Sequence, residues 1–396
     1  MNLKNTLMLG LLALVATGVD ADNATDSLTL TTIVEHPITS VKNQSRSGTC
    51  WAFSSLGFFE AELLRINKKS YDLSESFLIF KTMIDRGKGA VRMHGDISFS
   101  QGGSFYDAVY CLRNYGICPE NAMPKAGSLY GDTLYNHSEL DMIARAYIKA
   151  ITESNAKKLS NVWCNGLVGL YESYLGKIPE SFSYEGKDYT PKSFAESLGL
   201  KMDDYVSLTS FTHHPFYSQF AIEVQDNWRW GLSYNLPLDE FMEVMESAIK
   251  NGYTFAWGAD VSESNFRATG KNEGLATIPN IKEKQDLTGS DQAHWIGAGN
   301  KEQAEKDVKG ERIITPEIRQ EGFDNWTTTD DHGMLIYGLA KHQNGKEYFM
   351  MKNSWGKYNK LQGYGYISKA YMAYKTINIL VHKDAIPKKI AKKLGL

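Results

Sequence analysis

The sequence is short of cysteine and proline, carries no excess charge of either sign, and has no long apolar run after its first residues. Each shortage excludes something. Four cysteines stand in 396 residues, at Cys50, Cys111, Cys118 and Cys164, and their spacing matches no disulfide-stapled framework. Cys111 and Cys118 could pair only if the chain folds back after Gly116, and that pairing is left open. Lys+Arg total 43 against Asp+Glu 46, a formal net charge of -3, so no global field draws nucleic acid or an anionic membrane. No internal repeat or low-complexity tract is present. His-Glu-x-x-His, paired Cys-x-x-Cys, Gly-x-Ser-x-Gly and phosphate-binding loops are also absent. His213 and His214 are neighbours that would point apart on any regular element and, with Pro215, read as loop or core residues, so no metal and no cofactor are expected.

What the chain does have is enough apolar residue, 42% with 12% aromatic, to bury one large core or two packed lobes unaided. Met1 to Ala21 begins with Lys4, runs through apolar Leu7 to Ala16 and ends in Val19-Asp20-Ala21. That is the pattern of a cleaved secretory signal, with an apolar run shorter than a spanning helix needs. Export to a periplasm or to the outside is the expectation, with no stable membrane insertion once the signal is cut.

Local patterns place the elements. Leu28 to Val34 reads as a strand, and from Cys50 the apolar residues Ala52, Leu56, Phe59 and Leu63 recur at helical spacing, marking one buried face. Phe105 to Asn114, Ile143 to Leu175, Pro191 to Leu198 and Leu238 to Lys250 read as helical, and Tyr253 to Val261 as strand. Met334 to Ala340 and Glu347 to Lys352 form a predicted hairpin around Gln343-Asn344-Gly345. A two-residue turn centred on Asn344-Gly345 sets Lys357, not Asn353, opposite His332, an offset of about 13 Å at roughly 3.3 Å per residue. Bringing His332 to Asn353 therefore requires a longer loop centred near His342 and Gln343, or a bulge.

Cys50 falls in the first turn of its helix, where unpaired N–H groups and the helix dipole favour a thiolate. A thiolate nucleophile needs a base, and the base needs a third group to fix its tautomer. His332 and Asn353 are the candidates. Alone, a cysteine in an apolar helix is an ordinary buried thiol.

The combination says more. Gln44-Ser45-Arg46-Ser47-Gly48-Thr49-Cys50-Trp51-Ala52-Phe53 resembles the active-site segment of the papain-like cysteine peptidases. Asp331-His332 followed by a strand, and Lys352-Asn353-Ser354-Trp355-Gly356, are similar to the segments that carry that family's base and orienting amide. Gly102-Gly103 resembles the segment whose backbone pairs with an extended substrate. The resemblance implies Cys50, His332 and Asn353 as catalytic residues, Gln44 as oxyanion donor, Gly102 and Gly103 as substrate-binding, and Trp355 as the shield of the Asn–His bond. It also implies an α+β, papain-like fold of two lobes, one helical and one an antiparallel, barrel-like sheet, with a helical insertion.

His332 lies about 280 residues after Cys50, against about 130 to 150 in papain-type enzymes. That size, with Tyr234-Asn235-Leu236-Pro237-Leu238 and Gly258-Ala259-Asp260-Val261, resembles the bleomycin hydrolase and aminopeptidase C branch. After a signal at 1–21 the expected organisation is one peptidase domain over 22–396. Its nucleophile-helix lobe spans 22–135, the insertion about 136–230, and the β-rich lobe about 231–396. The branch often forms hexamers, so a homo-oligomer is an expectation of the resemblance. Its members trim free N-termini because their own C-terminal arm lies in the cleft, whereas here little follows Leu394. Either the Leu396 carboxylate takes that role by another path, or the cleft is open to internal cleavage. A papain-like scaffold that binds peptides without cutting them is the rival from another class.

Overall fold

Ten helices and one large sheet make up the fold seen in a computed structural model that describes residues 30–123, 134–269, 273–279 and 310–396. The expected signal, the polar stretch after it and the charged segment Lys282 to Asp291 lie outside the described residues. In chain order the elements begin with strand β1 (Leu30–Glu35) and helices α1 (Cys50–Asn67), α2 (Glu75–Arg92), α3 (Phe105–Asn114), α4 (Ser138–Thr152) and α5 (Val162–Leu175). A small hairpin of β2 (Phe182–Tyr184) and β3 (Lys187–Tyr189) leads to α6 (Pro191–Ser197), β4 (Tyr205–Thr209), β5 (Gln219–Ala221) and β6 (Leu232–Asn235). Then come α7 (Leu238–Lys250), β7 (Phe255–Ala259), β8 (Leu275–Ala276) and α8 (Pro316–Asp324). The chain closes with β9 (His332–His342), β10 (Glu347–Lys352), β11 (Tyr364–Ser368), α9 (Lys369–Lys375), β12 (Thr376–His382) and α10 (Lys388–Leu394).

The sheet runs β5-β6-β4-β12-β7-β9-β10-β11-β8, with β1 also paired to β9. Its pairs are antiparallel except β4 with β6 and β11 with β8. Successive side chains of a strand point to opposite faces, and here both faces are covered. Phe255, Trp257, Met334, Ile336, Ile379 and Val381 enter one core with α7. Ala256, Leu335 and Leu380, which alternate with them, enter the other core with α1, α2 and α3. Burial on both faces replaces apolar–polar alternation with continuous apolar runs.

Helix α1 is more deeply buried than its periodicity predicts. Every residue from Cys50 to Leu63 is buried, because the helix lies between α2 and α3 on one side and β7 and β9 on the other. A helix enclosed all round has no exposed stripe to write into its sequence. Leu140, Ala144, Leu167 and Phe194 of the middle segment join the same core as α1. All four cysteines are free thiols. The lysines of α10 are exposed while Ile390 and Leu394 pack into the second core, as the amphipathic pattern there predicts.

Candidate active site

Three pieces of backbone converge at Cys50. The first is the loop before α1. Lys42 is clamped between the buried carboxylates of Glu60 and Glu75 at 3.1 and 2.7 Å, which pins the loop to the helical body. Two residues on, Gln44 donates its N–H to the Ser354 carbonyl at 2.7 Å. Its side-chain Nε2 donates to the Ser47 carbonyl at 2.8 Å, and its Oε1 accepts from Ser354 Oγ at 2.6 Å. These bonds fix the amide's orientation and leave it one further N–H. No side chain caps α1 and no acid lies in its first turn, so the positive end of the helix is left to the Cys50 sulfur.

The second piece is β9. A Cβ on Gly333 would stand 2.4 Å from Ser54 Oγ. Glycine there lets the strand approach the helix closely, and that approach delivers His332 to the same cleft as Cys50. The third piece is the end of β10. His332 Nε2 is 2.7 Å from Asn353 Oδ1, and Oδ1 also accepts the Ser354 N–H at 2.7 Å. The amide oxygen has no hydrogen to give, so His332 Nε2 carries the proton of this bond, which makes Nδ1 the basic nitrogen. The Trp355 ring covers the imidazole, with centroids 4.7 Å apart at 31°. Asn353 Nδ2 donates to Tyr358 Oη at 3.2 Å.

The hairpin between β9 and β10 answers the register problem with a bulge. Glu347 pairs with Lys341 and Met350 with Gly338, after which Met351 pairs with Ile336. Tyr337 is therefore the extra residue on β9. The turn stays centred on Asn344, closed by His342 N–H to the Lys346 carbonyl at 2.8 Å. One step beyond the last pair, Lys352 with Leu335, Asn353 stands beside Met334, two residues from His332 and on its face of the sheet.

Gly103 lines the cleft, and a Cβ on it would press into the Trp51 indole at 2.8 Å. Gly102 is buried, and a Cβ there would meet Asp226 Oδ2 at 1.9 Å. Arg86, fully buried, ties this corner together. It donates to the Ser98 and Gly102 carbonyls and pairs with Asp226 at 3.5 Å. Gln101 accepts the Gly48 N–H through Oε1 and the Trp51 indole N–H through its carbonyl, both at 2.9 Å. Neither Arg86 nor Asp226 bears a sequence signal, since each acts through contacts far along the chain.

Burial dominates the electrostatics. It pushes the Cys50 thiol up to about 12, and the charges of Asp226 and Asp330 add to it, while backbone N–H groups of Gly333 and Trp51 pull the other way. Burial likewise pushes His332 down to about 4, against the opposing bond to Asn353. Removal from water thus holds each group neutral on its own. Proton transfer from Cys50 to His332 would give one ion pair instead of two separate buried charges.

Two other expectations meet the structure here. His213 and His214 sit in a turn after β4, not on a regular element, so the rule that neighbours point apart does not apply to them. Their Nε2 atoms reach the two oxygens of Glu223 at 3.0 and 2.7 Å. These three side chains could hold a metal ion. As they stand they are joined by hydrogen bonds, with Gln320 Nε2 2.9 Å from His213 Nδ1. Leu396 is not among the residues lining the cleft. Its helix is held away by Lys393, which pairs with Glu240, and by burial of Ile390 and Leu394.

A cleft of about 230 Å³ that brings a helix-terminal cysteine and an amide-oriented histidine together is the working part of a cysteine peptidase. The chain belongs to the Peptidase C1-like family, which matches residues 13–287 and 318–395. Aminopeptidase G of Lactobacillus delbrueckii subsp. lactis is 22% identical over 391 residues, covering 89% of this chain and 83% of that protein. Aminopeptidase C of Streptococcus thermophilus is 25% identical, covering 87% and 80%, and bleomycin hydrolase of Gallus gallus is 20% identical, covering 88% and 81%. Among solved structures, PepW from Lactobacillus rhamnosis superposes with a TM-score of 0.69 at 20% identity, covering 93% of this chain and 85% of that one. The fold is papain-like.

Proposed function

We propose that this chain is an exported aminopeptidase that works through a thioacyl-enzyme on Cys50. The observation that carries the catalytic part is the shared cleft of Cys50 and His332, with His332 Nε2 bonded to Asn353 Oδ1. In this reading Cys50 Sγ gives its proton to His332 Nδ1 and attacks the carbonyl of the first peptide bond. The Cys50 backbone N–H and the remaining Gln44 N–H hold the oxyanion. His332 returns the proton to the leaving amine, then takes one from the water that hydrolyses the thioester. Trp355 keeps solvent from the Asn353–His332 bond. Gly103 and Gly102 offer backbone to the substrate.

Resemblance to named aminopeptidases supports the exopeptidase part. The decisive assay compares fluorogenic peptides with free and acetylated N-termini. A strong preference for the free amine is expected, and equal cleavage of both would mean an endopeptidase with an open cleft. Failure of a thiol-directed epoxide to modify Cys50 would leave the peptide-binding reading standing. Export is tested by mass spectrometry of the N-terminus after cell fractionation. A chain beginning at Asp22 outside the cytosol is expected, and an intact Met1 in the cytosol would overturn it. Light scattering of the mature protein measures whether it forms the homo-oligomer that the resemblance implies.

A further inference from the structure

Four aspartates line the cleft, and three of them have partners. Asp203 pairs with Arg113 at 2.6 Å, and Arg113 is the one Lys or Arg in the lining. Asp331 accepts the N–H groups of Val261 and Ser262 and the hydroxyl of Thr329. Asp226 faces Arg86. Asp330 makes no hydrogen bond and no ion pair among the described residues; it is half-buried, and it lines the cleft. Burial, then the charges of Asp226 and Asp331, push its carboxyl well above the ordinary range. A carboxylate half removed from water without a counter-charge is costly, and proteins keep such groups where a ligand supplies the charge.

We infer that Asp330 is the group that receives the substrate's N-terminal ammonium. The inference rests on the aminopeptidase reading above and names the residue responsible for it. Location favours an α-ammonium over a basic side chain. In a peptide the terminal nitrogen is two bonds, about 2.5 Å, from the carbonyl carbon that the sulfur attacks. Its receptor must therefore lie beside the nucleophile. Asp330 stands two residues before His332 and lines the same cleft as Cys50. Asp226 is the neighbouring acid but is drawn to Arg86, which also holds the Gly102 carbonyl. Among the described residues of the lining there is no lysine and a single arginine, which is paired with Asp203.

The test is the ratio of kcat/KM on free-amine to N-acetylated fluorogenic substrates. Asp330→Asn keeps shape and removes charge, so the ratio should fall by about 10- to 100-fold, the worth of a hydrogen bond to a charged group. Asp330→Glu, which keeps the charge on a longer arm, should restore part of it. Modification of Cys50 by a thiol-directed epoxide shows that each variant has folded. A ratio in Asp330→Asn equal to that of the unmodified enzyme overturns this inference while leaving the aminopeptidase reading intact. Equal cleavage of both substrates by the unmodified enzyme overturns both. Should Asp330→Asn not fold, inhibition of the unmodified enzyme by leucinamide and N-acetyl-leucinamide decides. Tighter binding of the free amine at pH values that keep it protonated, with the advantage lost when it is deprotonated, is expected. Equal inhibition overturns the assignment.

Discussion

His332 reaches Asn353 diagonally across β9 and β10, Nε2 to Oδ1 at 2.7 Å, and it can do so only because Tyr337 is an extra residue between them. Without that bulge the register of Met350 with Gly338 would continue, and Asn353 would stand beside Leu335. Leu335 faces the opposite side of the sheet from His332, so the imidazole and the amide would be separated by the backbone. The Tyr337 carbonyl, which accepts the His36 N–H at 3.0 Å, holds the bulge from the other side.

Replacing Asn353 with Ala should leave the His332 tautomer unfixed and its ring free to turn. A fall in kcat of about 10²-fold, with KM little changed, is expected from the size of general-base contributions. Steady-state kinetics on a free-amine peptide check it, and an unaltered kcat would remove Asn353 from the mechanism.

In the proposed mechanism Gln44→Ala removes one oxyanion donor, so kcat should fall by about 10²-fold or somewhat less. The same variant also frees the Ser354 hydroxyl and the Ser47 carbonyl. Thermal melting alongside the kinetics separates the two effects, because a purely structural loss would lower Tm without lowering kcat of the folded fraction.

Activity should persist to unusually low pH. Protonated His332 cannot accept the Cys50 proton, and burial sets its pKa at about 4. The acid limb of kcat/KM is therefore expected near pH 4, not near the ordinary imidazole value of about 6.5. A limb at 6 or above would show that the imidazole is not desolvated in the working enzyme.

Acid should also weaken the fold through a second histidine. His137 is buried with its Nε2 unbonded, and burial lowers its pKa to about 4. The folded value is depressed, so between about pH 6.5 and 4 the unfolded chain takes up a proton that the folded chain refuses, and stability falls as pH falls. The loss approaches roughly 3 kcal/mol by pH 4. Urea midpoints at pH 7 and pH 4 should differ less in His137→Leu than in the natural sequence.

Gly102→Ala brings a methyl group to within 1.9 Å of Asp226 Oδ2. Overpacking and a displaced Arg86–Asp226 pair should cost about 1 to 3 kcal/mol, read from the urea midpoint. An unshifted midpoint would mean that the loop yields without strain.

The candidate nucleophile, base and amide are legible because they are local signals: Gln44 to Phe53, Asp331-His332 and Lys352 to Trp355 are each continuous in the chain. Helices α3 and α7 likewise have bounds read directly from their apolar spacing and their flanking residues. Helix α2 and strand β12 are not singled out in the same way. Full burial erases the polar half of a pattern, as it does along α1. The histidines at 213 and 214 lie in a loop, as read from Pro215 beside them, but their convergence on Glu223 was not legible, since side-chain direction in a turn follows no period.

What the sequence determined by itself is the inventory of reactive groups and most regular elements, because spacing and local propensity are written residue by residue. Only the tertiary structure decided that Tyr337 is a bulge, that Arg86 holds Asp226 against Gly102, and that Asp330 has no ion-pair partner among the described residues. Those facts depend on pairing across many residues, on desolvation and on the absence of a neighbour, none of which has a position in the chain.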